Sequence, residues 1–295
     1  MATAARKSGK SKPKYTPEEV AAYRAEQREK GAELMKAAVS ELLTSDGWQK
    51  WAAMRARLHG YSLNNTLLIL IQCPEATMVA SGKFWKEQNR YITSGTGSAL
   101  RIFAPLFRRP TSEEIAAGRD PESKVLYSFK LVPVFDVSQT DGEPLPSKPS
   151  QPVTGDSHAS FLRPLEVLAQ KLGYSVSFES LSPGLGGYCD KQRNHIAIRN
   201  DVAPNAQVRT LIHEIAHALG IGYEGYGREQ AEVLVETATF IVSTSIGLDT
   251  TGASVPYVAS WGEANAVAAI EAFAGVVDKV ARQIESAVKD AEVVA

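Results

Sequence analysis

The chain has 295 residues, 44% of them hydrophobic and 22% charged, with 32 Lys+Arg against 33 Asp+Glu. That length makes two domains the natural expectation, and a near-average composition excludes a wholly disordered or fibrous protein. A net charge of -1 gives the whole molecule no basic signature for nucleic acid, yet residues 1–143 carry 21 basic and 16 acidic side chains whereas 144–295 carry 11 and 17.

Residues 1–14 read as a disordered basic tail, with no apolar segment of the kind a signal peptide carries. Thr16-Pro17-Glu18-Glu19 combines an N-cap threonine, a proline at the first helical position and a glutamate at the third, so a helix is expected from there to about Leu43. A second is expected from Trp48 to about His59. Ser62-Leu63-Asn64-Asn65 then offers a cap for the apolar run Leu67 to Gln72, which Pro74 terminates. The most apolar stretch, Leu67 to Ile71, is far too short to cross a membrane, so no membrane anchor is expected.

Strands are expected around 99–107 and over Val125 to Val137, with a polar mobile loop, Thr111 to Lys124, between them. The window 46–109 holds 9 basic against 3 acidic residues, together with Trp48, Trp51, Tyr61, Phe84, Trp85, Tyr91, Phe103 and Phe107. Basic charge interleaved with aromatic faces points to nucleic acid. Pro144, Pro146, Pro149 and Pro152 sit among Ser, Gly and Asp, so a linker and domain boundary are expected at 144–160. The organisation expected is therefore a tail (1–14), a domain at 15–143, the linker, and a domain at 161–295.

Beyond the linker the pattern predicts a helix at Phe161 to Leu172, strands at Ser175 to Phe178 and His195 to Ile198, a turn at Gly184 to Tyr188, and helices at Asn205 to Leu219, 229–246 and 263–290. Cys73 and Cys189 are far apart with no CxxC spacing, which fits a reducing cytoplasm. No GxxxxGK[ST] loop is present, so a nucleotide cofactor is not expected.

His213-Glu214-Ile215-Ala216-His217 is an HExxH sequence inside an expected helix. Four-residue spacing puts both imidazoles on one face, which suits one zinc ion, and Glu214 can take a proton from a water bound there. A third ligand should come from a neighbouring helix, and Glu232 and Glu236 share a face of the next one. Glu232 is favoured as ligand, with Glu236 accepting the other ring N–H of a ligand histidine. The reverse assignment stays open. Tyr223 and Tyr226, just after the HExxH helix, are candidates for steadying an oxyanion.

The stretch VRTLIHEIAHALG followed by REQAEVLVETATFIVSTSIGLDT resembles the metallopeptidase domain of ArdC-type antirestriction proteins, related to the ImmA/IrrE group. YSLNNTLLILIQCPEATMVASGKFWKEQNRYITSGTGSALRIFAPL and LVPVFDVSQTDG resemble their N-terminal single-stranded-DNA-binding domain, so the resemblance covers about 46–290. It implies an α+β protein with an N-terminal α+β single-stranded-DNA-binding domain and a zincin-like domain built around the HExxH helix. It also implies zinc on His213, His217 and a later glutamate, Glu214 as general base, and a role in antirestriction or protection of mobile DNA. For the DNA-binding half, Lys83, Lys86, Arg90 and Arg101 are the candidates for phosphates, Trp85 and Tyr91 for base stacking, and Asn64 and Asn65 for phosphate or base edges. An unidentified protein is the expected substrate. Two rival expectations are a non-proteolytic DNA binder with a structural zinc, and a protease stimulated by DNA that acts on DNA-bound proteins.

Overall fold

A computed structural model of the protein describes residues 16–95, 97–145, 155–249 and 266–292. The expected tail at 1–14, residues 146–154 of the expected linker and residues 263–265 of the last expected helix lie outside the described residues.

The first three helices are α1 (Pro17–Glu41), α2 (Ser45–Arg57) and α3 (Leu63–Gln72). α1 starts where the capping box stands, with the Glu19 amide donating to Thr16 Oγ1 and the Thr16 amide to a Glu19 oxygen. α2 is capped by Thr44 and α3 by Ser62. β1 (Val79–Ala80), α4 (Gly82–Glu87) and β2 (Arg90–Ile92) lead into β3 (Leu100–Arg108), α5 (Ser112–Ala116), β4 (Val125–Asp136) and β5 (Thr140–Gly142). β4 lies between β1 and β3 in one sheet, and β2 pairs antiparallel with β5 in another. The segment expected as a loop between β3 and β4 contains α5, because Thr111 and Glu114 form a reciprocal capping box and Arg108 pairs with Glu114.

The outer edge of β3 is occupied by side chains from α3. The Asn65 amide accepts from the Phe103 N–H at 2.8 Å and donates to the Phe103 carbonyl at 2.9 Å. Gln72, two turns along, does the same to Arg101, at 2.9 Å in both directions. Each carboxamide reproduces what a neighbouring strand would offer one residue.

The later elements are α6 (Leu162–Lys171), β6 (Ser175–Glu179), β7 (Gly187–Asp190), β8 (His195–Arg199), α7 (Pro204–Ala218), α8 (Tyr223–Tyr226), α9 (Arg228–Ser245) and α10 (Ala266–Glu292). β8 is central, parallel to β6 and antiparallel to β7. β7 falls where a turn is expected, since its Gly-Gly start carries no apolar alternation. A Cβ on Gly187 would lie 2.7 Å from Thr210 Cγ2 and 2.8 Å from the Ala197 carbonyl oxygen, so only glycine lets the strand seat against α7.

Two compact units are present, Met1–Leu34 with Ala104–Leu131, and Met35–Phe103 with Val132–Ala295. The smaller holds the start of α1, α5 and the ends of β3 and β4 that flank it, with Phe107, Tyr127 and Phe129 exposed. The larger unit takes in residues on both sides of the boundary expected at 144–160. The physical reason is long-range packing of α2: Trp48 donates to Thr237 of α9 at 3.2 Å, and the fully buried Arg55 is held by Asp278 and Glu285 of α10. Around them α3, α7, α9 and α10 bury a shared apolar core. The chain is thus of the α+β class, and no helix among the described residues is long and apolar enough to cross a membrane.

Candidate metal centre

α7 is an amphipathic helix whose buried face comprises Val208, Leu211, Ile212, Ile215 and Ala216. Pro204 occupies its first turn, and Gly220, at φ 112°, follows its end. α9 packs against it and buries Ala231, Leu234, Val235 and Ala238, which leaves Glu232 and Glu236 turned toward the α7 histidines. The rings of His213 and His217 are 5.1 Å apart. His213 Nε2 lies 3.7 Å from Glu232 Oε2, and His217 Nε2 lies 3.7 Å from Glu232 Oε1.

One ligand atom from each of His213, His217 and Glu232 falls within 4.8 Å of the other two. Donors about 2.0–2.1 Å from a tetrahedral ion stand about 3.3 Å apart, so the two 3.7 Å separations from Glu232 exceed what a bound ion sets by only a few tenths of an ångström. Two imidazoles and a carboxylate suit zinc and other divalent first-row metals.

The other ring nitrogens are already committed, as a metal site requires. His217 Nδ1 lies 2.8 Å from the Ile221 carbonyl oxygen, and His213 Nδ1 lies 3.0 Å from Glu236 Oε1. Both Nε2 atoms are left to face Glu232. The second Glu236 oxygen accepts from Arg209 at 2.7 Å. Glu232 is therefore the carboxylate that faces both Nε2 atoms, and Glu236 is placed behind His213. Arg209 escaped the sequence reading, although it lies four residues before His213 and so on the same helical face.

Charge and burial act on His213, Glu214, His217 and Glu236. Burial works against a charged His213, but the Glu236 carboxylate at Nδ1, aided by the charge of Glu214, holds its pKa above the ordinary value. Burial depresses His217. Glu236 is resisted by burial too, yet its bond to His213 and the Arg209 charge keep it below the usual carboxylate range. Glu214 is buried with a pKa pushed up to about 7, as desolvation outweighs the favourable field of His213. Burial, reinforced by the charge of Glu214, pushes the Cys189 thiol up to about 11, which leaves it protonated and a poor nucleophile. Tyr223 donates from its phenol to Glu232 Oε1, and its ring centroid stands 5.6 Å from that of His217.

No family model matches this chain. An uncharacterized protein of Bacillus anthracis is 24% identical to it over 290 residues, a match that takes in 85% of this chain and 49% of the relative. The chain thus spans about half the length of that relative. It is also similar to two crystal structures of the antirestriction protein ArdC from plasmid R388. The metal-free one has 17% identity and a TM-score of 0.45, over 78% of this chain and 83% of that one. The Mn(II)-bound one has 16% identity and a TM-score of 0.44, over 78% and 86%.

The candidates for DNA contact meet different fates. Trp85 is fully buried and its indole N–H donates to the Phe135 carbonyl at 2.9 Å, so it has no face to offer a base. Arg90 spends its guanidinium on Thr140, Gly142 and Glu143 of the β2–β5 pair, which removes it as a phosphate contact. Asn65 is consumed by Phe103. Lys83, Lys86, Asn64, Tyr91 and Arg101 do reach solvent, with Lys83 3.7 Å from Glu87 and Tyr91 62% exposed.

Proposed function

We propose that this protein is a zinc-dependent peptidase that also binds single-stranded DNA and serves in antirestriction or protection of incoming DNA. The observation that carries the peptidase reading is the convergence of His213, His217 and Glu232 on one point, with Glu214 next to the first histidine on the same helix. His213, His217 and Glu232 would hold the zinc ion, which would supply a Lewis acid for a scissile carbonyl and for a water. Glu214 would serve as the base that takes a proton from the attacking water and returns it to the leaving amine. Arg209, Glu236 and the Ile221 carbonyl orient the two histidines and do not touch substrate.

The DNA part of the reading is supported by the basic surplus of residues 46–109, by the solvent-facing Lys83, Lys86, Tyr91 and Arg101, and by the sequence resemblance to ArdC-type proteins. The test pairs wild type with Glu214→Gln. Zinc content is measured by mass spectrometry, and cleavage of casein is followed with and without a single-stranded oligonucleotide. Zinc retained in both, with cleavage lost only in the variant, supports the reading. Equal cleavage by both proteins overturns Glu214 as general base. Oligonucleotide binding that weakens steeply with salt supports the DNA half, and absence of binding at low salt removes it.

A further inference from the structure

Tyr223 adjoins His217 and Glu232 of the metal triad. It is carried on α8, a single helical turn between α7 and α9, and α8 ends at Gly227, whose φ of 72° and ψ of 161° few L-residues adopt. That glycine is also the N-cap of α9, so α8 is joined directly to the helix that bears Glu232. The tyrosine side chain reaches back over the metal triad. Its hydroxyl donates to Glu232 Oε1, its ring lies edge-on to His217 at 5.6 Å and 73°, and the Arg228 guanidinium sits 5.8 Å from its ring centroid.

A carboxylate in such a site can bind an ion through one oxygen or two. The choice decides how many coordination positions stay open for water and substrate. A hydroxyl that donates to one oxygen lowers the electron density available there and restricts rotation about the last side-chain bond. Glu232 is 38% exposed at its side chain, so packing alone holds it loosely, unlike His213 at 16% and His217 at 9%. Tyr223 donates a hydrogen bond to Glu232, whereas the Nε2 atoms of the two histidines stand 3.7 Å from its carboxylate.

We infer that Tyr223 is a positioning residue for the metal ligand Glu232: its hydroxyl holds Oε1 so that the carboxylate engages the ion through Oε2 alone. The inference rests on the metal reading above and goes past it by assigning a residue to the geometry of the third ligand. The phenol acts through Glu232, so it is not a catalytic group in this scheme.

The test is calorimetric titration of Zn(II) into the metal-stripped full chain, for wild type, Tyr223→Phe and His217→Ala, together with visible spectra of the Co(II)-loaded proteins. The expected result is one site in the wild type, about 10–100-fold weaker binding in Tyr223→Phe, and a Co(II) spectrum that changes with loss of the hydroxyl because the coordination number changes. Removing one hydroxyl from a half-exposed side chain leaves the fold intact, which matching thermal unfolding of the metal-stripped proteins would register. Wild-type affinity in Tyr223→Phe with an unchanged Co(II) spectrum overturns this inference while the metal site stands. Failure of the wild type itself to bind, or unimpaired binding by His217→Ala, overturns the metal reading and the present inference with it.

Discussion

Replacement of Arg55 by methionine tests the packing that joins α2 to α10. The guanidinium is completely buried, donates to Glu285 at 2.9 and 3.2 Å, and also bonds Asp278. Methionine fills much of the space but leaves two carboxylates, 5% and 8% exposed, without that cation. Breaking a buried pair from one side costs about 3–5 kcal/mol. Asp278 keeps Arg282 at 3.0 Å, so the loss belongs at about 3–4 kcal/mol, with Glu285 its main source. For a unit of this size that lowers the melting temperature by about 6–15 °C. The assay is thermal and urea unfolding followed by circular dichroism at pH 7, with Arg55→Met/Glu285→Met as companion. The double variant should recover part of the loss, because the uncompensated charge is gone. A single-variant loss below 1 kcal/mol, or a double variant worse than the single one, would refute the assignment of the stability to this ion pair.

Asp136 carries a pH-dependent contribution. It is buried, which raises its pKa, but donations from Ser138, Thr77 and Met78 outweigh burial and hold it below the ordinary aspartate value. A depressed folded value means the contribution is complete above the unfolded pKa of about 3.9 and is lost as pH falls through the lower folded value. Asp136→Asn should therefore cost about 1–3 kcal/mol at pH 7, with the gap to wild type closing toward pH 2 in urea titrations. A gap independent of pH would count against this account. Gly187→Ala should cost about 1–3 kcal/mol by overpacking β7 against Thr210, and amide exchange in β7 and β8 should quicken. Unchanged exchange would show that the strand has room for a methyl group.

What the sequence made legible was local. Capping boxes, four-residue spacings and the proline and glycine stops placed α1, α3, α7 and α9 within a few residues, because those signals operate inside one helix. The two histidines and the two glutamates were legible for the same reason. Contacts made across the chain were not. Trp48 meets Thr237 after 189 residues and Arg55 meets Glu285 after 230, so composition put a boundary where packing runs on. Trp85 and Arg90 fit the pattern of a nucleic-acid surface as residue types, but β4 and β5, some 50 residues later, take up their polar atoms. Tyr223 was visible as a tyrosine near the site. Its hydrogen bond to Glu232 depends on the turn made at Gly227.

The carboxamides of Asn65 and Gln72 bear on how this molecule behaves when crowded. An uncovered sheet border invites a second chain to add itself, which begins domain exchange and fibre growth. On β3 the border positions at Arg101 and Phe103 are already taken by α3, and the next position of the same parity, Pro105, has no N–H to give. A foreign strand arriving there finds its hydrogen-bonding groups unanswered. From Arg101 to Pro105 this flank is closed to templated assembly, so strand exchange between crowded copies finds no start there.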